Sequence, residues 1–186
     1  MSSKLFKKFS SCLIWFLAFS CIFMWSGLKA QTSKDAKAYY ARGVAYDKDG
    51  QYHLAIEDYT KALEINPKYF GAYYNRGVDY SKEGQYDLAI KDLTKALEIN
   101  PKHANAYNNR GVFYAAKGQY NLAIKDYTKA LEINPKYFSA YYNRGLVYEK
   151  KGKYDLAIKD FTKALEINPK DTKASNSLDN IKKKKK

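Results

Sequence analysis

The chain reads as an all-α protein: a solenoid of antiparallel helix pairs, closed at its C-terminal end by a capping helix. Three observations predict this. A 34-residue unit is written four times in direct succession, over 36–69, 70–103, 104–137 and 138–171. The register never slips, because Gly43, Gly77, Gly111 and Gly145 recur at that interval, and so do Pro67, Pro101, Pro135 and Pro169. Apolar residues inside each unit follow a helical spacing. A unit of this length cannot bury its own apolar face and must stack on the next.

The segment 1–30 is a different material. Lys4, Lys7 and Lys8 precede an uncharged apolar run from Cys12 to Trp25, and small residues follow up to Ala30. That order describes a secretory signal peptide cleaved before Gln31. With its flanks the run approaches the length of a spanning helix, so an uncleaved N-terminal membrane anchor is the alternative. A lipid-modified Cys21 fits less well, since Phe19 stands where a small residue is usual. In either form the basic flank stays cytoplasmic and the repeats emerge on the other side, in the periplasm or outside the cell. Residues 31–35 form a linker.

In the first unit Tyr39, Gly43 and Tyr46 share one face of a first helix, while Ala55, Ile56, Tyr59, Ala62 and Leu63 share one face of a second. Small residues recur where two axes must approach (Gly43, Ala55, Ala62), opposite large ones that fill the space between. Gly50, Gly84, Gly118 and Gly152 end the first helices, and the Asn-Pro pairs from Asn66-Pro67 to Asn168-Pro169 end the second. After Asp171, Ala174, Leu178 and Ile181 mark a capping helix over 172–181 with a polar back. A basic tail, Lys182, Lys183, Lys184, Lys185 and Lys186, ends the chain. With both ends covered, the array reads as a monomer.

The pattern of aromatic, Gly and Tyr, then Gly-x-Tyr, Ala, aromatic, Ala and Pro resembles the tetratricopeptide repeat. It covers residues 36–171 and implies a right-handed superhelix whose first helices line a concave groove. Leu93 departs from the aromatic at Tyr59, Tyr127 and Phe161, and Ala41 departs from the Asn at Asn75, Asn109 and Asn143. The resemblance places a protein or peptide ligand in the groove, against Tyr40, Val44, Tyr74, Asn75, Val78, Asn108, Asn109, Val112, Tyr142, Asn143 and Leu146. A ladder of Asn amides can hold a peptide backbone whatever its side chains. The row is similar to the asparagine ladder of O-linked N-acetylglucosamine transferase. It is unlike the co-chaperone clamps that grip a terminal carboxylate, because Asn105 and Ser139 stand where those need a basic residue and only Lys37 remains.

Charge separates the other functions. The chain has 33 Lys and Arg against 19 Asp and Glu, a net +14. Much of the excess lies in the leader and in the terminal lysines, so the repeats themselves are only mildly basic. The lysine tail is a candidate contact for an anionic membrane surface, and this is the alternative function; with the chain sent out of the cytoplasm, nucleic acid is the weaker partner. Arg42, Arg76, Arg110 and Arg144 each precede Asp58, Asp92, Asp126 and Asp160 by 16 residues, which predicts structural ion pairs. Both cysteines, Cys12 and Cys21, fall in the leader, leaving the mature chain without disulfide or thiolate metal chemistry. No catalytic constellation, metal spacing or cofactor motif is legible. The sequence therefore reads as an exported, non-enzymatic scaffold or adaptor.

Overall fold

The computed structural model describes residues 34–185. Nine helices lie among them: α1 (34–48), α2 (Tyr52–Ile65), α3 (Phe70–Lys82), α4 (Tyr86–Ile99), α5 (Ala104–Ala116), α6 (Tyr120–Ile133), α7 (Phe138–Lys150), α8 (Tyr154–Ile167) and α9 (Thr172–Lys184). Each odd-numbered helix from α1 to α7 pairs with the helix that follows it, forming four units. The leader and its cleavage site lie outside the described residues. Among those described, no helix is long and apolar enough to cross a membrane.

The turn inside each unit is built by glycine. Gly50, Gly84, Gly118 and Gly152 have φ of 73°, 76°, 73° and 69°, a left-handed conformation that costs a residue without Cβ little. In the second unit Gln85 N–H reaches back to Tyr80 O at 2.8 Å and Gly84 N–H to Ser81 O at 3.0 Å. Two carbonyls at the end of α3 are thereby satisfied in a Schellman arrangement. At the other turn, Asn66 has left the helical conformation ahead of Pro67, at φ −128° and ψ 88°, and its Oδ1 accepts from Lys68 N–H at 3.2 Å.

The core runs the length of the stack. Ala55, Tyr59 and Ala62 are fully buried, as are their counterparts down to Ala157, Phe161 and Ala164. Gly111 shows how tightly they meet: a Cβ there would sit 2.7 Å from Cε1 of Tyr127. At Gly77 the nearest atoms would be 3.2 to 3.3 Å away, because Leu93 replaces the ring. Gly111→Ala is accordingly expected to cost about 1–3 kcal/mol through overpacking. Gly77→Ala should be close to neutral, since a helical Ala recovers about 0.5–1 kcal/mol over Gly. Chemical denaturation of the two variants checks the contrast, and equal losses would contradict it.

The inner side of the curve follows from the helix contacts. First helices touch first helices of the next unit (α3 with α5, α5 with α7, α7 with α9), whereas among α2, α4, α6 and α8 no second helix touches another. First helices that close up while second helices spread put the first helices on the concave side.

The two ends differ from each other and from the reading above. At the C-terminal end α9 takes the place of a fifth first helix: Asp171 Oδ1 accepts from Ala174 N–H at 2.8 Å, and Ala174, Leu178 and Ile181 are buried. The helix continues through Lys184, past the expected end at 181. Lys184 bonds Glu149 at 2.9 Å and Lys185 bonds Asp155, so part of the expected tail is pinned to the last unit. At the N-terminal end Ala45 and Arg42 are exposed among the described residues, without a cover equivalent to α9.

Candidate functional site: the concave face

A rigid row of side chains needs a rigid backbone beneath it, and the charged pairs supply part of that rigidity. Arg76 Nε and Nη2 grip Asp92 Oδ2 and Oδ1 at 2.6 and 2.9 Å, and its Nη1 donates to Thr60 Oγ1 of the preceding unit at 2.8 Å. Thr60 Oγ1 donates in turn to Ile56 O at 2.7 Å. Arg110 repeats this with Asp126 and Thr94, and Arg144 with Asp160 and Thr128. Arg42 holds Asp58 but has no such threonine partner among the described residues, and 54% of its side chain is exposed. Each interior Arg also lies between two rings, Arg76 at 5.7 Å from Tyr73 and 5.8 Å from Tyr80. One guanidinium thus ties both helices of its unit and joins that unit to its neighbour. The threonine contact was not read from sequence, although an invariant Thr at Thr60, Thr94 and Thr128 was the available signal.

On the concave side the asparagines make a second inter-unit seam. Asn75 Nδ2 donates to Tyr40 OH at 3.2 Å and to Tyr59 OH at 3.4 Å, and Asn109 Nδ2 donates to Tyr74 OH at 3.0 Å. Asn143 Nδ2 donates to Asn108 Oδ1 at 3.2 Å, and Asn108 Nδ2 to Asn109 Oδ1 at 3.3 Å. Asn108, expected in the groove from sequence, is buried and spends its amide on its two neighbours. It braces the row and does not line it. The carbonyl oxygens of Asn75 and Asn143 accept no bond within the described residues and remain available.

The apolar groove residues are only partly free. Tyr40 and Val44 pack on the core beneath the first unit, Tyr74 on that of the second, and Tyr142 and Leu146 on that of the fourth. Val112 is the most open, at 38% exposure. Burial pushes the Tyr74 hydroxyl up in pKa, with the Asn109 bond offsetting part of that.

Rings unread in the sequence border the row. Phe70 stacks on Tyr74 at 5.9 Å, both meet His103 (4.7 and 5.2 Å), and Phe138 stacks on Tyr142 at 6.1 Å. His103 Nδ1 accepts from Ala106 N–H at 3.1 Å, capping α5, and burial keeps its pKa low. A neutral imidazole with that nitrogen engaged serves structure. Among the described residues no group of three or more His, Cys, Asp or Glu is gathered to hold a metal.

One buried group belongs to neither seam. Asp79 is fully buried where the other units have Ala45, Phe113 and Val147. Its Oδ1 accepts from Lys82 Nζ at 3.0 Å, Oδ2 has no partner, and Lys82 also bonds Asp47. Burial, with Asp47 adding to it against the opposing pull of Lys82, raises the Asp79 pKa to about 7.

Stacked helix pairs with a braced concave row define an interaction solenoid, a class that works by holding other proteins. The chain belongs to the tetratricopeptide repeat family, whose model matches residues 36–69, 71–103 and 138–171; another tetratricopeptide repeat model matches 93–125 and a TPR repeat model 113–152. Among solved structures it is similar to MamA, at 28% identity and a TM-score of 0.78 over 82% of this chain and 83% of that one. It is similar to Pseudomonas aeruginosa pilF at 25% identity and a TM-score of 0.73, covering 83% of this chain and 71% of that one. YrrB, described as a TPR protein with an unusual peptide-binding site, matches at 26% identity and a TM-score of 0.72 over 86% of each chain. No curated protein matches the chain.

Proposed function

We propose that this protein is an exported, non-enzymatic adaptor whose concave face holds an extended or helical segment of another protein. The observation that carries the reading is the row of Asn75, Asn109 and Asn143. Each is held in place through Nδ2 by the preceding unit, and Asn75 and Asn143 keep an unused carbonyl oxygen. A fixed acceptor suits a peptide N–H better than a mobile one, because the entropy of ordering it has already been lost. Val112 and the partly open tyrosines add apolar contact area beside the row. Export rests on the leader, whose Lys-rich start and short apolar centre carry the repeats out of the cytoplasm.

The same bonds shape the test. Asn→Ala at all three positions removes the seam as well as the ligand contacts, so the Tyr40→Phe/Tyr74→Phe variant serves as control, losing the hydroxyls but keeping the amides. At about 1 kcal/mol for each of the two free carbonyls, the triple variant should bind a captured partner segment roughly 30-fold more weakly, while the tyrosine control binds within a fewfold of wild type. Titration of that segment by calorimetry checks this, with circular dichroism to confirm the fold. Equal affinity for wild type and triple variant would remove the groove assignment.

A further inference from the structure

A second face is organised as regularly as the concave one. Leu88, Leu122 and Leu156 stand in the first turns of α4, α6 and α8, 40%, 44% and 43% exposed. One turn on, Lys91, Lys125 and Lys159 are exposed and make no ion pair among the described residues, unlike Lys95, Lys129 and Lys163, which pair with Glu98, Glu132 and Glu166. The following unit brings another lysine to each leucine. Lys117 bonds Asp87, Lys151 bonds Asn121 and Lys185 bonds Asp155, each partner adjacent in sequence to its leucine. Lys185 of the terminal lysine run thereby lies on this ridge. The first unit breaks the pattern with Glu57 in place of the free lysine.

We infer that this ridge of second helices docks on the anionic surface of a lipid bilayer, through a face separate from the peptide groove. Leucines flanked by uncompensated lysines, repeated on one face, suit the boundary between acyl chains and charged headgroups. A nucleic acid would reward the lysines and gain nothing from the leucines.

The test uses the full chain on neutral phosphatidylcholine vesicles and on vesicles containing one-third phosphatidylglycerol, and the variant carries the same leader, so that anything the leader does is common to variant and wild type. Lysines are reductively methylated and read individually by mass spectrometry. On the anionic vesicles Lys91, Lys125 and Lys159 are expected to label about fivefold or more slowly than on neutral ones, while Lys68, Lys102 and Lys136 label alike. The Leu88→Ser/Leu122→Ser/Leu156→Ser variant, altered only at exposed positions, should lose the protection and keep its melting temperature. Uniform labelling on both vesicle types, or protection that survives the serine variant, would overturn the inference. So would equal protection by single-stranded DNA that is indifferent to the serines, which would assign the ridge to polyanions.

Discussion

Asp126→Ala is expected to cost about 3–5 kcal/mol, the range for removing one partner of a buried ion pair. Asp126 accepts two bonds from Arg110, at 2.7 and 2.8 Å, and the guanidinium, 16% exposed, is enclosed by Tyr107, Tyr114 and Thr94. Without the carboxylate that cation is buried with one neutral hydroxyl as its remaining partner. The defect also lies at a joint between units, where stability depends on the neighbour interface. The internal comparison is Asp58→Ala, which frees an Arg42 that is half in water and can rehydrate; a loss nearer 1 kcal/mol is expected there, as for other exposed pairs. Thermal denaturation of the two variants distinguishes the cases. Equal losses would mean that the relay from Arg to Thr across the joint contributes nothing.

Asp79→Val should act in the opposite direction and stabilise the chain, increasingly so as pH rises. Asp79 is buried with Oδ2 unpartnered, at a position where the fourth unit carries Val147 with no polar atom to satisfy. Its pKa is raised in the folded state, so between the ordinary carboxylate value near 3.8 and about 7 the native protein binds more protons than the unfolded chain. Stability contributed by the protonated form is then complete below about pH 4, declines through that interval and levels off above it. The variant has no such decline. Its advantage is expected to be small at pH 4 and on the order of 2–3 kcal/mol at pH 8, the cost of a buried and incompletely satisfied carboxylate. Urea denaturation across that range measures the difference, and a pH-independent gap would exclude ionisation of Asp79 as its cause. Lys82 and Asp47 pair at the surface beside Asp79 and remain in the variant.

Whatever repeats was legible before the structure. The helix pairs, the left-handed glycines and the Asn-Pro turns are each written four times at one interval, so a single interpretation had to satisfy every copy. What crosses a unit boundary was not legible. Asn109 reads as a free amide until the stack places Tyr74, 35 residues earlier, under its Nδ2. Thr94 reads as an ordinary helix-surface residue until Arg110 reaches it from the next unit. The lysine run reads as a free tail and a candidate membrane contact, yet Lys184 and Lys185 meet acids 35 and 30 residues back, as Lys82 and Lys117 do inside the array. Departures from the repeat carried signals of their own. Leu93 reads as a departure and accounts for the slack around Gly77, whereas Asp79, charged where its counterparts are apolar, was passed over.

That a partner segment lies along the Asn75, Asn109 and Asn143 row is tested most directly by placing a photo-crosslinking amino acid at Val112, the most exposed apolar position beside that row, and another at the exposed Ile99 at the end of α4. Irradiation in the native setting should join the Val112 position to one dominant peptide sequence, and the Asn→Ala triple variant should abolish that product. A partner joined through Ile99 but not through Val112, or a Val112 product indifferent to the asparagines, would contradict it.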